Sequence, residues 1–240
     1  MMDVPDAFLD LSGRGRHNAP PMAILVKICG INSAETADAA LRAGADFVGL
    51  MFHPNSPRKV DLEQAASLAA RLRGRVRIVA VLRDPSDDQI AAIKAQVNPD
   101  LIQLHGAEPP ARVAAIRETF QVGLIKAIGV AEPSDLAGVG AYEESVDLFL
   151  FDAKPPAGAT REGGHGTAFD WRIVSGQRIG RPWLLAGGLD AENVARAIAA
   201  SNAPGVDVSS GVETAPGVKS AEKIAAFVAA ARAAKVGAAA

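Results

Sequence analysis

Three side chains in this sequence have the chemistry to move protons or grip an anion, and each closes or follows a short apolar run. Cys29, the only cysteine, ends "ILVKIC"; Asp152 ends "VDLFLFD"; Arg58 lies in the turn-rich "HPNSPRKV". A thiolate is a competent base and a protonated carboxyl a competent acid, so the first two could form a proton-transfer pair that needs no metal. Each has a plainer reading. A lone cysteine in an apolar run is most often a small buried hydrophobe, and a carboxylate after a strand can simply accept loop amides. Lys27 projects to the same side of an extended strand as Cys29. Its ammonium is expected to lower the thiol pKa, unless it is taken up by an internal ion pair. Asp152 follows apolar residues, so burial is expected to raise its pKa and keep it protonated. Arg58 presents a planar fork that matches a carboxylate through two parallel hydrogen bonds; a solvated surface arginine is the alternative.

Small residues mark two further places. "LLAGGLDAENV" contains Gly187 and Gly188, and "DVSSGVETAPGVKS" contains Ser209, Ser210 and Gly211, each group ahead of a helical stretch. Exposed backbone N–H groups beside a helix start favour a dianion such as phosphate. The alternative is plain turn chemistry, with glycine serving positive φ. A phosphate cradle on one side and an arginine on the other imply a substrate with phosphate at one end and carboxylate at the other. Asp207 and His105 complete the candidates, the first as a contact to sugar hydroxyls or a strut inside its strand, the second as a wall residue. The four histidines, His17, His53, His105 and His165, are isolated and match no zinc spacing. "GGHG" (163–166) lacks the strand-to-helix context of a dinucleotide loop and reads as a lid element.

The elements that must position these groups repeat one grammar from Ile24 onward: a β-rich apolar run, a loop, then an Ala-rich stretch at helical spacing. The runs are 24–29, 46–52, 76–82, 100–105, 122–128, 146–152, 182–188 and 205–210. Continuous apolar runs fit parallel strands buried on both faces, and eight of them close a (β/α)8 TIM barrel in a single domain. An open doubly wound sheet usually has fewer strands. Ser33 is expected to cap the first helix, Gly44 to end it, and Asp190 to cap the helix after the seventh strand. Barrel active sites lie at the carboxyl ends of the strands, and all the candidate residues fall there.

Composition sets the remaining bounds. Of 240 residues, 49% are apolar and 22% charged, which suits one large core, and the charge of −2 is spread evenly, so neither nucleic acid nor an anionic membrane is an expected partner. No run of about 18 apolar residues is present to span a bilayer. One cysteine forms no internal disulfide, which suits a reducing, cytoplasmic setting. Residues 1–22 carry acids and no apolar h-region, and read as a mobile extension rather than a secretory signal; 23–233 read as the barrel and 234–240 as a flexible tail. No exposed apolar stripe announces an interface, so a monomer is expected, with a dimer as the alternative.

"VKICGIN", "GADFVGLMFHPNSPRKV", "IQLHG", "LFDAKPP", "AGGLDAENV" and "VDVSSGVET" resemble, in order, the motifs of the phosphoribosylanthranilate isomerases, the (β/α)8 enzymes of tryptophan biosynthesis. The resemblance spans about residues 24–230. It implies an Amadori rearrangement of a phosphosugar small molecule without any cofactor. Cys29 is then the general base and Asp152 the general acid, and Arg58 contacts the anthranilate carboxylate. Gly187, Gly188, Ser209, Ser210 and Gly211 hold the phosphate, while His105 and Asp207 are weaker transfers. Two rivals among phosphosugar barrels are a bifunctional isomerase, which would work with an aspartate pair, and an indoleglycerol-phosphate synthase, which would need a lysine at a strand end where Lys27 and Lys126 lie deeper. A phosphate sensor without turnover would need neither Cys29 nor Asp152.

Overall fold

The computed structural model describes residues 23–154 and 170–234. The expectations for residues 1–22, for the "GGHG" segment and for the tail from 235 lie outside these. Eight strands close a parallel barrel in sequence order: β1 (Leu25–Cys29), β2 (Phe47–Met51), β3 (Arg77–Leu82), β4 (Leu101–Leu104), β5 (Gly123–Val130), β6 (Leu148–Ala153), β7 (Trp183–Leu185) and β8 (Gly205–Val208). The six helical stretches legible in the sequence are all present, as α1 (Ala34–Ala43), α2 (Leu62–Leu72), α3 (Asp87–Gln96), α4 (Pro110–Phe120), α5 (Val194–Ser201) and α6 (Ala221–Ala233). After β5 the chain makes only short 3-10 turns, at Pro133–Leu136 and Val139–Tyr142; another, Trp171–Val174, precedes β7. A two-stranded hairpin, β9 (Glu213–Ala215) with β10 (Val218–Lys219), follows β8.

Side chains alternate along each strand and so divide between two cores. Val26, Ile28, Val48, Leu50, Ile78, Ala80, Phe149 and Phe151 face outward and pack with the helices. Cys29, Phe47, Val79, Val81, Leu101, Ile125, Ala127, Leu148 and Leu150 fill the barrel itself. By the same parity Lys27 shares the inner side with Cys29, and Asp152 shares it with Leu148 and Leu150. Strand alternation thus aims the two candidate catalytic groups at one interior before any loop is considered.

Ser33 caps α1, accepting from Thr36 N at 3.2 Å, and Gly44 ends it in the left-handed region at φ 81°. The expectation for Asp190 is corrected: α5 begins three residues later, with Asn193 at its N-cap. Asp190 Oδ1 accepts instead from the N–H groups of Glu192 and Asn193, both at 2.9 Å, while Asn193 Oδ1 accepts from Asp190 N. This local side-chain turn satisfies donors that would otherwise open the helix earlier.

At the N-terminal end of the barrel one device recurs. Asp46, Asp100 and Asp147 each stand just before an even-numbered strand, and each carboxylate accepts at 2.7 Å from the second amide of the preceding odd strand, Val26, Ile78 and Leu124. The backbone N–H of each aspartate donates at 2.9 Å to that same residue's carbonyl. The paired contacts extend the sheet's hydrogen bonding beyond its last ladder rung.

Candidate active site

At the opposite end of the barrel a cavity of about 290 Å³ is lined by Cys29, Arg58, His105, Asp152, Asp207 and Ser209, together with Met51, Gln103, Lys154 and others. That volume lies near the lower end for small-molecule sites. Six of the ten candidates from the sequence meet here, five of them in or just beyond β1, β4, β6 and β8, while Arg58 arrives on the loop after β2.

Cys29 is the last residue of β1 and is only 5% exposed. Its register partner Gly49 has no side chain, and a Cβ there would stand 3.0 Å from Sγ, so the glycine makes room for the thiol. The expected lowering of the thiol pKa is overturned. Burial pushes it up, and the neighbouring Asp207 carboxylate adds to that; Lys27 and Lys219 pull the other way without cancelling them. Lys27 is committed to an internal ion pair, its Nζ 2.8 Å from Asp207 Oδ1, between paired residues of β1 and β8. Burial alone would depress the Lys27 pKa, but Asp207, with help from Cys29, holds it above its ordinary value. Asp207 therefore serves as a strut inside the barrel while also reaching the cavity wall.

Asp152 lies within β6 and faces the cavity, its side chain 25% exposed with His105 Nε2 3.4 Å from Oδ2. The apolar burial expected of it is not found: its side chain opens to the cavity beside the imidazole of His105, which stands at the end of the next strand but one. Gln103 Nε2 lies 2.8 Å from His105 Nδ1. With the amide donating, the neutral ring carries its proton on Nε2, facing Asp152. Gln103 Oε1 is buried without a hydrogen-bond partner among the described residues. Gln103 was missed in the sequence, although an amide two positions before His105 in a core strand carries the inward-facing signal.

Arg58 is neither exposed nor free. It is 9% exposed and holds Glu213 through Nε at 2.6 Å and Nη2 at 2.8 Å. Lys219 Nζ donates to the same carboxylate at 2.8 Å, to Ser209 O at 2.9 Å and to Ser209 Oγ at 3.2 Å. Ser209 in turn donates to the Cys29 carbonyl at 3.2 Å. Burial would raise the Glu213 pKa, but Arg58 and Lys219 together hold it below the usual carboxylate range; Lys219 itself is depressed because its burial outweighs its partner. Neither Glu213 nor Lys219 was singled out from the sequence. Their signal is only that both are polar and follow a strand end.

Of the five residues read as a phosphate cradle, Ser209 lines the cavity and Gly187, Gly188, Ser210 and Gly211 do not. Gly187 and Gly188 both have positive φ, 89° and 65°, and Ser210 begins a 3-10 turn of three residues rather than a helix. Among the described residues the amides of these four donate to no backbone carbonyl. A Cβ on Gly211 would fall 1.9 Å from Leu189 O, so glycine lets the loops after β7 and β8 pack together.

The comparisons with known proteins agree with this geometry. The family model described as N-(5'-phosphoribosyl)anthranilate (PRA) isomerase matches residues 26–230. The N-(5'-phosphoribosyl)anthranilate isomerase of Afipia carboxidovorans is 53% identical over 213 residues, covering 89% of this chain and 91% of that one. Its counterpart from Azorhizobium caulinodans is 54% identical over 214 residues, covering 89% and 94%. The solved phosphoribosyl anthranilate isomerase of Thermotoga maritima superposes with a TM-score of 0.78 at 36% identity, over 87% of this chain and 98% of that one. A further isomerase structure, in complex with reduced 1-(o-carboxyphenylamino)-1-deoxyribulose 5-phosphate, superposes with a TM-score of 0.76 at 34% identity, over the same shares. With its closed eight-stranded barrel and its match over nearly all the described residues, this chain is an isomerase of the N-(5'-phosphoribosyl)anthranilate isomerase family.

Proposed function

We propose that this isomerase converts N-(5'-phosphoribosyl)anthranilate to 1-(2-carboxyphenylamino)-1-deoxyribulose 5-phosphate in tryptophan biosynthesis, with Asp152 as general acid and Cys29 as general base. The observation that carries the reading is that these two groups, from strands nearly opposite in the barrel, open onto one cavity whose wall also holds Arg58 and Ser209.

The chemistry follows from the groups present. Asp152 donates its proton to the ribose ring oxygen; the C1'–O bond breaks with its electrons on oxygen, and the anthranilate nitrogen lone pair forms the C1'=N iminium. The iminium makes the C2' hydrogen acidic. Cys29 removes it as the thiolate, the C2'–H electrons form C1'=C2', and the iminium electrons return to nitrogen. The enolamine then loses its C2' hydroxyl proton and gains one at C1' to give the ketone. In the resting site burial keeps Cys29 a thiol. A cation arising in the same low-dielectric space favours its ionisation, by several kcal/mol at about 4 Å, and Lys27 and Lys219 act in the same direction. The thiol proton passes through the shared cavity to the Asp152 carboxylate left by ring opening, so thiolate is produced when the iminium forms and the acid is restored. His105, whose Nε2 lies 3.4 Å from Asp152 Oδ2, steadies that carboxyl between proton donation and return.

Arg58 receives the anthranilate carboxylate, and the amides of Gly187, Gly188, Ser210 and Gly211 with Ser209 receive the phosphate. The lysine of a synthase-type mechanism has no support, since Lys27 is paired with Asp207 and Lys126 with the buried Glu108 at 2.8 Å. We place the catalytic unit at residues 23–233 of a cytoplasmic monomer. Among the described residues Val218 is the one large hydrophobic side chain more than half exposed, at 54%, and no helix among them is long and apolar enough to cross a membrane. The isomerase of Thermotoga maritima is a dimer from which monomers have been generated. Loss of substrate fluorescence on adding the purified full chain tests the reading; a rate equal to the uncatalysed background would overturn it.

A further inference from the structure

We infer that Glu213 is a positioning residue for substrate selection: it orients Arg58 so that one edge of the guanidinium is left for the substrate's carboxylate. The inference rests on the functional reading above and adds to it a residue and a specificity that the acid/base pair does not supply.

A guanidinium has five N–H donors in a fixed plane. Glu213 occupies the side edge, one bond from Nε and one from Nη2. The remaining donors are both protons of Nη1 and the second proton of Nη2, which form the end edge of the fork. Among the described residues nothing accepts from Nη1, and Arg58 lines the cavity. One arginine can therefore hold Glu213 along one edge and a planar carboxylate along the next, without releasing either.

The surroundings fix that pose. Gly30, at φ 80°, has no side chain where a Cβ would lie 2.7 Å from Arg58 Cδ, so the arginine stem passes close over the end of β1. Gly217 likewise lets the β9–β10 hairpin approach Pro57, since a Cβ there would meet Pro57 O at 2.4 Å. Asn32 Nδ2 donates to Gly217 O at 3.0 Å, fastening the same hairpin to the loop after β1. Glu213 therefore stands on a braced segment rather than a free loop.

Lys219 gives the arrangement a second consequence. The Glu213 carboxylate is held from both sides, by Arg58 on one and Lys219 on the other. Lys219 also binds Ser209 through both its oxygens, so the residue at the phosphate side and the residue at the carboxylate side share one chain of contacts, Ser209–Lys219–Glu213–Arg58. The chain ties the spacing of the two anion contacts to the fold.

The test is a binding cycle with the full chain and two ligands: reduced 1-(o-carboxyphenylamino)-1-deoxyribulose 5-phosphate, and the same compound without its carboxyl group. Glu213→Gln keeps the size of the side chain and removes its charge. It is expected to weaken the carboxylate ligand about tenfold or more, the scale of a misdirected charge-assisted contact, and to change the other ligand less than about twofold. In turnover KM rises and kcat changes little, because the lost contact is made equally in ground and transition states. Glu213→Asp keeps the charge that Lys219 requires but withdraws it from Arg58. It is expected to show the same selective loss, and it carries the test if the glutamine variant does not fold. Equal losses on both ligands, or none on either, in a variant with wild-type circular dichroism would overturn the inference while leaving the functional reading intact. Wild type that binds neither ligand would overturn both.

Discussion

The two ends of the barrel deal with polar groups in opposite ways. At the N-terminal end Asp46, Asp100 and Asp147 each give a carboxylate to a strand amide, beside a backbone bond between the same two residues, and Asp46 and Asp147 also pair with Arg232 and Arg117. These carboxylates serve the strand ends and the helices packed around them, and none of the three lines the cavity. At the C-terminal end the polar groups are gathered around a cavity and satisfied by one another across long sequence distances, Lys27 by Asp207 and Arg58 by Glu213. Donors remain on Arg58 after its partner is served, and the four amides after β7 and β8 have no backbone acceptor among the described residues. The closed end holds the strands in register, and the open end keeps unspent hydrogen-bonding capacity for a ligand. The contrast predicts that changes at the mouth uncouple activity from stability, and changes at the base do the reverse.

The sharpest break should come at the acid/base pair. Asp152→Asn and Cys29→Ala are each expected to lower kcat at least about a hundredfold, with melting temperature shifted by no more than a few degrees, checked by steady-state assay and thermal denaturation. A large fall in melting temperature together with activity would erase the contrast. Next is the barrel strut. Lys27→Met leaves the Asp207 carboxylate buried without its cation and should cost about 3–5 kcal/mol in urea denaturation; pairing it with Asp207→Leu should recover much of that loss. At the base, Asp100→Ala strands the buried Ile78 amide and should cost about 1–3 kcal/mol with kcat unchanged. Ser33→Ala, which removes the α1 cap, should cost about 1 kcal/mol and also leave kcat unchanged.

A pH series tests the buried pair that braces the loop after β4. Burial would raise the Glu108 pKa, but the bond to Lys126 and its charge, with the amides of Asp84 and of Glu108 itself, hold it below the ordinary value of 4.5. Its stabilisation is therefore fully present above that value and lost as pH falls through the lower folded pKa. Glu108→Gln should be less stable than wild type at neutral pH and lose less stability on acidification, read from urea denaturation across the acid range. Cys29 has the opposite sign. Its raised folded pKa means that thiolate ultraviolet absorbance of the free protein should grow only above the ordinary thiol range. Growth at neutral pH would show that Lys27 and Lys219 outweigh burial after all.

Much of the barrel could be read directly. The eight continuous apolar runs fold as the eight strands and the Ala-rich stretches after six of them as helices, because run length and helical spacing are local properties of the chain. Cys29 and Asp152 could also be assigned to one end, since a strand's direction and parity fix which way its last side chains point. The Asp190 cap was misread because a nearby Asn193 offered a competing local turn. The thiol's pKa was misread because it is a sum over groups that sequence distance does not rank.

By itself, then, the sequence determined the eightfold strand–helix order, the shared side of Lys27 and Cys29, and the cluster of reactive residues at one barrel end. The tertiary structure alone decided which charges neutralise which. Asp207 reaches Lys27 across 180 positions, and Glu213 reaches Arg58 across 155. Electrostatic energy depends on ångström distances and on exclusion of water, and both exist only once the barrel has closed.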